Sequence, residues 1–590
     1  MNQFDLLESI RQLPDEDAPR LVYADWLEER GERDRAQFIR VQCALASLPA
    51  HHPDRTDLEN READLLADFE LLWLGEAGDD LLDWRFSRGF VESVGGSVGV
   101  IDSAWQALRR EHPVRGACIG SLENADPAIL RDSQHWAGLQ HLTILPSMAA
   151  EWGNELLRWP GLRRLRSLAL HQPIRRPLRE PAFVDTLLRQ LVGGPLQRLE
   201  LHDFSQCPRM AEQLLQSGLA PQLRSLSLRC IQANGNQLPL LLDHADFAGL
   251  RELRWSAGRY TDGDSSAWRA FPARQLRRFS LIRCELTPFM LQALEQSPLI
   301  SGLTQFTWAS NRIRDDAAPS PFGLIDRMPQ LTALEWSHDG SASADFPRRL
   351  PSAMRHLHLH WLPLDGGHWQ SWTQLWQPGQ LQSLSLVNCT LSREIRQEIW
   401  HSPHTRGLRH LALDLSGIDL TGLFRYADGG PQRLRHLELQ FSGLSESDPS
   451  AIQKWLQGPG AARLAELELL DTSRSDALLR VWGGSETLPS LNRLRLVLNR
   501  ILPPIVLDWL HSPMLRNLRS VGVLTDALTA DMVEALVHQT GLEHLRLLNV
   551  DPLFEQPAAV ALSGRFGTDV LLGYGDRIPA ELRRHAEREI

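Results

Sequence analysis

From residue 139 to the end of the chain's ordinary sequence, apolar residues recur in the order LxxLxL, with polar residues between them. Allowing apolar substitutes, the pattern starts at Leu139, Leu165, Leu196, Leu223, Leu250, Leu276, Leu303, Leu331, Met354, Leu381, Leu408, Leu434, Leu464, Leu491, Leu518 and Leu542. These sixteen starts have a mean period of about 27 residues, and a degenerate copy, VRGACI, begins at Val114. Alternation inside LxL predicts a short strand with its leucines on one face and the intervening residues on the other. Units of this length cannot bury an apolar face alone, so they must stack, each coil closing its neighbour's core.

Between the predicted strands lie segments such as PAFVDTLLRQLVGG and TADMVEALVHQTG, with helical apolar spacing and glycine stops. The period leaves room for about three helical turns per unit. Three copies, from Leu276, Leu303 and Leu381, fit LxxLxLxx(N/C)xL in full. The chain therefore resembles the leucine-rich repeat family, and its ribonuclease-inhibitor-like class in particular. That resemblance implies an α/β horseshoe with parallel strands on the concave face and helices on the convex one. It also implies that Cys284, Asn311 and Cys389, at the ninth position, satisfy backbone groups where the strand turns away.

The front of the chain stands outside the period. Residues 2–13 read as a helix with Phe4, Leu7 and Ile10 on one side. A second helix begins at Asp17 and Pro19, carries Leu21, Val22, Trp26 and Leu27 as its apolar face, and stops at Gly31. Helices near 36–48 and 57–74 follow, the latter with Leu58, Leu65, Phe69 and Leu72 as its apolar set. Residues 17–45, DAPRLVYADWLEERGERDRAQFIRVQCAL, resemble the repeat-companion domain that precedes repeat arrays in planctomycete and myxobacterial proteins. Gln37 departs from the acid expected there. The resemblance implies an architecture and a bacterial source, and no activity. The organisation is thus a helical domain over 1–80, an N-terminal cap with a degenerate first repeat over 81–138, repeats over 139–550 and a C-terminal cap over 551–590.

Charge separates these parts. Residues 1–80 hold 20 Asp and Glu against 8 Arg, leaving 53 acids and 54 bases in the remainder. An array that is nearly neutral lacks the surplus of bases needed to neutralise phosphates, which argues against nucleic acid as the partner. Arginine nevertheless takes the second position of eight copies (Arg166, Arg224, Arg251, Arg277, Arg355, Arg409, Arg435, Arg519). It forms either a structural stripe at the sheet edge, with packed stems, or a surface for a polyanion. Lys454 is the one lysine in the chain and reads as the solvated side of a helix, so phosphate-loop and kinase chemistry have no lysine in place. Six scattered cysteines without metal-finger spacing, no basic-then-apolar leader and no apolar run of membrane length lead us to expect a cytoplasmic protein without a membrane span.

Two motifs suggest chemistry. GGSVG, residues 95–99, matches the GxSxG nucleophile elbow around Ser97, but that reading needs a hydrolase sheet with Asp and His on later strands, and a turn in the cap fits better. RHLHLHWL, residues 355–362, places His356, His358 and His360 on one face of a strand, about 7 Å apart. Glu335, at the equivalent position of the preceding copy, should lie beside His358, so His356, His358 and Glu335 are candidate zinc ligands. Histidine recurs at outward positions in other copies, including His410 and His436, which favours a partner-facing cluster over a metal site. Trp255, Trp308 and Trp336 are assigned to the core, and Trp369, Trp372 and Trp376 to the underside of the convex surface. The chain is expected to be a non-enzymatic recognition or scaffold protein, without cofactor. Its protein partner is expected on a concave face that presents Glu335, Arg355, His356, His358, His360, Arg409, His410, Arg435, His436 and Glu438.

Overall fold

In the computed structural model the leucines of successive copies stand side by side. Leu142, Leu168, Leu199, Leu226, Leu253, Phe279 and Phe306 pair in register across parallel strands, and the ladder runs on through Leu334, Leu357, Leu384, Leu411, Leu437, Leu467 and Leu494. All fourteen are buried. Removing one of these side chains to Ala leaves a cavity worth about 2–5 kcal/mol. The described residues comprise most of 2–524, except chiefly 49–54, 76–80, 172–180, 203–208, 261–270, 314–319, 338–345, 419–429, 442–447, 472–490 and 499–508. Beyond 524 they include little besides 547–550 and 571–572. Of the helix expected in TADMVEALVHQTG only Glu534, Val537 and His538 are described, as helical, and of the C-terminal cap over 551–590 only Leu571–Leu572, a strand paired with Leu548 and Asn549.

Among the described residues the strands form one 20-stranded sheet, and a separate two-stranded parallel pair joins Glu285–Leu286 to Arg312–Ile313. It opens with an antiparallel hairpin, β1 (Asp83–Ser87) and β2 (Phe90–Ser97), and becomes parallel at β3 (Gly116–Ser121), which holds the degenerate VRGACI copy. At the far end Ser520 pairs with Leu547, so the last copy runs three residues later than a start at Leu542 requires. The segment LEHLRLLNV offers leucines in both registers, and only pairing chooses between them.

Convex helices follow the strands, among them Ala150–Arg158, Pro181–Leu191, Met210–Ser217, Pro288–Glu295, Gly366–Thr373 and Arg393–His401. Most have two to three turns. They fall short of three because part of the period is spent on a 3₁₀ turn leading into the next strand, as at Pro160–Arg164, Pro298–Gly302 and Pro403–Thr405. The ninth-position ladder is present: the Asn311 side chain accepts from the Cys284 N–H and donates to the Leu281 carbonyl, both at 2.8 Å, and the Cys389 thiol donates to the Leu359 carbonyl at 3.4 Å. Trp255, Trp308 and Trp336 lie in the core, and Trp369, Trp372 and Trp376 are buried beneath the convex side. The indoles of Trp372 and Trp376 donate to the Pro347 and Pro351 carbonyls. Lys454 is exposed on the helix Asp448–Leu456.

The front of the chain is four helices, α1 (Gln3–Gln12), α2 (Ala18–Glu28), α3 (Arg33–Ser47) and α4 (Arg55–Leu74). Three apolar faces differ from the sequence expectation. In α1, Leu6 joins Leu7 and Ile10 in the core while Phe4 is 69% exposed. In α2 the buried face is Arg20, Tyr23, Ala24 and Leu27, rotated by about one residue, and Leu21 and Val22 face out. Arg20 explains the rotation. Its guanidinium donates to the Pro14 carbonyl at 2.8 Å, the Arg88 carbonyl at 3.2 Å and the Glu92 carboxylate of β2 at 2.7 Å. A buried charge is tolerated only when so satisfied. In α4, Leu65 is buried and Leu72 is 73% exposed.

The helical domain and the array share their packing at the hairpin. Phe90 of β2 completes the small core of α1, α2 and α3, whereas Phe38, Leu65 and Leu74 belong to the core of the array. The hairpin turns through Arg88 and Gly89, both with positive φ, and a Cβ at Gly89 would overlap Ile39 of α3.

Candidate functional site

The concave side chains form rows because the register holds without a shift from Ala333 to Leu498. One row runs His356, Ser383, His410, His436, Glu466 and Arg493, and the next runs Glu335, His358, Ser385, Ala412, Glu438, Glu468 and Arg495. Glu335 thus stands beside His358, and it accepts from the Thr307 hydroxyl at 3.3 Å. Hydrogen bonds bind the rows together. His358 Nε2 meets Ser383 Oγ, which lies 2.8 Å from His410 Nδ1, and the His410 and His436 rings are 4.6 Å apart. His436 Nδ1 bonds Glu466 at 3.0 Å, and Glu466 pairs with Arg493, which reaches Asp83 of β1. His360 Nε2 bonds Ser385 Oγ at 3.3 Å.

This placement alters the reading of the histidine cluster. His356 does not project freely from the concave face. It is buried, and burial holds its imidazole well below the usual range and therefore neutral. His358, His360, His410, His436 and Glu438 are half-buried. The zinc grouping of His356, His358 and Glu335 does not converge: among the described residues the one set of three whose ligand atoms all lie within 4.8 Å of one another is His171, Glu200 and His202. Sequence reading missed that set, whose histidines end two neighbouring strands, Ser167–His171 and Arg198–His202, and face each other in register.

Ser97, the nucleophile of the elbow reading, caps the helix α5 (Val98–Glu111) by accepting from the Val100 N–H, and is buried. It is a helix cap with a structural duty.

The arginine stripe has two fates. In the middle of the array Arg224 and Arg277 donate to the Gly249 and Gly302 carbonyls of the following coil. At both flanks the partners are acids of the helical domain. Asp15, between α1 and α2, pairs with Arg115 at 2.8 Å and Arg166 at 2.7 Å. Along α4, Glu59 faces Arg355 and accepts from Gln382, Asn60 meets Arg409, Asp64 pairs with Arg463, and Glu70 pairs with Arg435 at 3.0 Å. The acidic domain thus spans from the first coils to coils more than 300 residues away. Arg355 and Arg435, offered by sequence as partner contacts, face the acids Glu59 and Glu70, and Arg409 donates to the Asn60 amide oxygen. Arg519 lies outside the described residues.

One exposed side chain stands apart from these networks. Trp361, just past the strand His356–His360, is 62% exposed and has φ 61°. Arg283, Ser310 and Asn388 occupy the same turn position of other coils with φ of 53° to 56°, so the left-handed turn belongs to the repeat. Asn suits that conformation and a bulky aromatic does not. The indole sits on the rim of the concave face next to His360.

The fold defines the class of protein: an α/β leucine-rich repeat solenoid with parallel strands inside, helices outside and an all-α domain at its front. No protein-family model matches the chain, and no curated protein matches it. Among solved structures, a chain of the yeast complex of Rad7 and Elc1 is similar over 89% of this chain and 94% of that one, with 15% identity and a TM-score of 0.25, too low for any conclusion about function. Among the described residues no helix is long and apolar enough to cross a membrane.

Proposed function

We propose that the protein is a non-enzymatic recognition scaffold that binds a protein partner on the concave rim centred on Trp361 and His360. The exposure of Trp361 carries this reading. A tryptophan in a left-handed turn costs about 1–2 kcal/mol that the Asn of the neighbouring coil avoids, and it leaves a large apolar surface in water. Tryptophan is also the residue type most enriched among interface hot spots. His358 and His360 on the strand that leads into it, and Ser385 on the next strand, which bonds His360, supply polar groups suited to the rest of an interface.

The polyanion reading draws less support, because Arg355 and Arg435 already face acids and Arg409 is bonded to Asn60. We read the front helices as a repeat-companion domain of bacterial type whose acidic surface clasps the array. Cys43, Cys118, Cys284 and Cys389 are buried, and their scatter without metal-finger spacing suits a reducing, cytoplasmic setting.

The test replaces Trp361 with the residue the next coil uses. Trp361→Asn should leave thermal stability unchanged or raise it by up to about 1 kcal/mol, and should abolish capture of any protein retained by the wild-type chain. Undiminished capture by the variant would refute the proposed surface.

A further inference from the structure

We infer that His171, Glu200 and His202 form a three-ligand site for a divalent transition metal of the zinc type, on the arm of the array opposite the histidine cluster that the sequence singles out. The parallel register is the first support. His171 and His202 are paired residues of adjacent strands, and Glu200 lies two residues before His202, so all three side chains leave the same face of the sheet. Their ring centroids are 4.2 Å apart, and the Glu200 carboxylate oxygen lies 3.7 Å from His171 Nε2 and 3.9 Å from His202 Nε2.

Ligand atoms bound at ~2.0–2.1 Å around a tetrahedral ion lie about 3.3–3.5 Å from one another. The three groups are therefore within about 1 Å of coordinating geometry, a movement that side-chain torsions supply without shifting the strands. Glu200 and His202 are buried, and the strand backbone fixes where their side chains start. Ligands held on a rigid sheet lose little entropy on binding. His202 Nε2 is hydrogen-bonded to the Ser227 hydroxyl of the next strand at 2.8 Å, a bond that the ion would replace.

Two imidazoles and one carboxylate suit zinc, and three protein ligands leave a coordination position open. That position faces the concave surface. Arg229 is the register partner of His202, and Arg254 that of Ser227. Both cations disfavour a bare ion and favour an anion, such as hydroxide or a carboxylate, as fourth ligand.

The experiment uses the full chain, stripped with a chelator and titrated with Co²⁺ and then Zn²⁺ alone, with elemental analysis of the dialysed protein. One equivalent of Co²⁺ with tetrahedral ligand-field bands, displaced by Zn²⁺, is expected. Glu200→Gln keeps the shape of the side chain and His171→Ala removes the less buried ligand. Each should weaken binding roughly tenfold or more with unchanged circular dichroism, while His358→Ala should have no effect. Absence of stoichiometric metal on the wild-type chain would overturn the inference, as would binding indifferent to both site variants or lost with His358→Ala.

Discussion

Arg20 shows how one side chain sets the face of a helix. Apolar counting along APRLVYADWLEERGE puts Leu21 and Val22 inward, yet the guanidinium takes that place because three acceptors meet it there. Replacing it with Ala leaves Glu92 to Arg115 alone and two carbonyls unmatched. Urea denaturation of Arg20→Ala should show a loss of about 3–5 kcal/mol; a loss under 1 kcal/mol would mean that the contact is dispensable. Histidine supplies a second test. His112 is pushed down to about 3 by burial, and His202 and His356 are also held well below their ordinary value. In the unfolded chain these groups titrate near 6.5. Below that pH the unfolded state takes up protons that the folded state refuses, so stability should fall as pH drops from about 6.5 toward 4. Asp15 acts lower still: burial pushes its carboxyl up, but hydrogen bonds and charge from Arg115 and Arg166 outweigh it and hold it at about 2. Its contribution is present above about 4 and is lost between about 4 and 2. Denaturation midpoints that stay flat from pH 6.5 to 4 would contradict the histidine assignment.

At the scale of elements, α4 is the part that sequence described least well. Its helical span was readable, but the purpose of its acids was not, because their partners lie about 300 to 400 residues away and meet them only once the array has curved. His171 and His202, 31 residues apart, hold the seventh position of consecutive copies, just as Glu335 and His358 hold the fifth, so both pairings were legible from the repeat. What the spacing did not show is that Glu200 converges on its two histidines while His356 is buried. Substituting Glu59→Gln, Asp64→Asn and Glu70→Gln together should release the arginine edge. The variant should lose about 1–3 kcal/mol, with the half-exposed Asp64–Arg463 pair adding least, and should be retained on heparin at a salt concentration that elutes the wild-type chain. Identical elution would show that the arginines are not masked by α4.

Across the whole molecule, the fold follows from a single repeated constraint. LxxLxL at a period of about 27 dictates a stacked coil, and fourteen successive leucine or phenylalanine positions meet in register as that pattern requires. What the pattern leaves open is what each coil presents to the outside. The concave residues obey no period, and the turn that exposes Trp361 looks the same in sequence as the turn that holds Asn388. The central claim is that recognition occurs on this rim. Hydrogen exchange on the full chain, with and without a captured protein, tests it most directly. Protection should rise at Leu357–Leu364 and Leu386–Thr390, with the convex helices Gly366–Thr373 and Arg393–His401 unchanged. Protection confined to those helices, or to the front domain, would contradict the account.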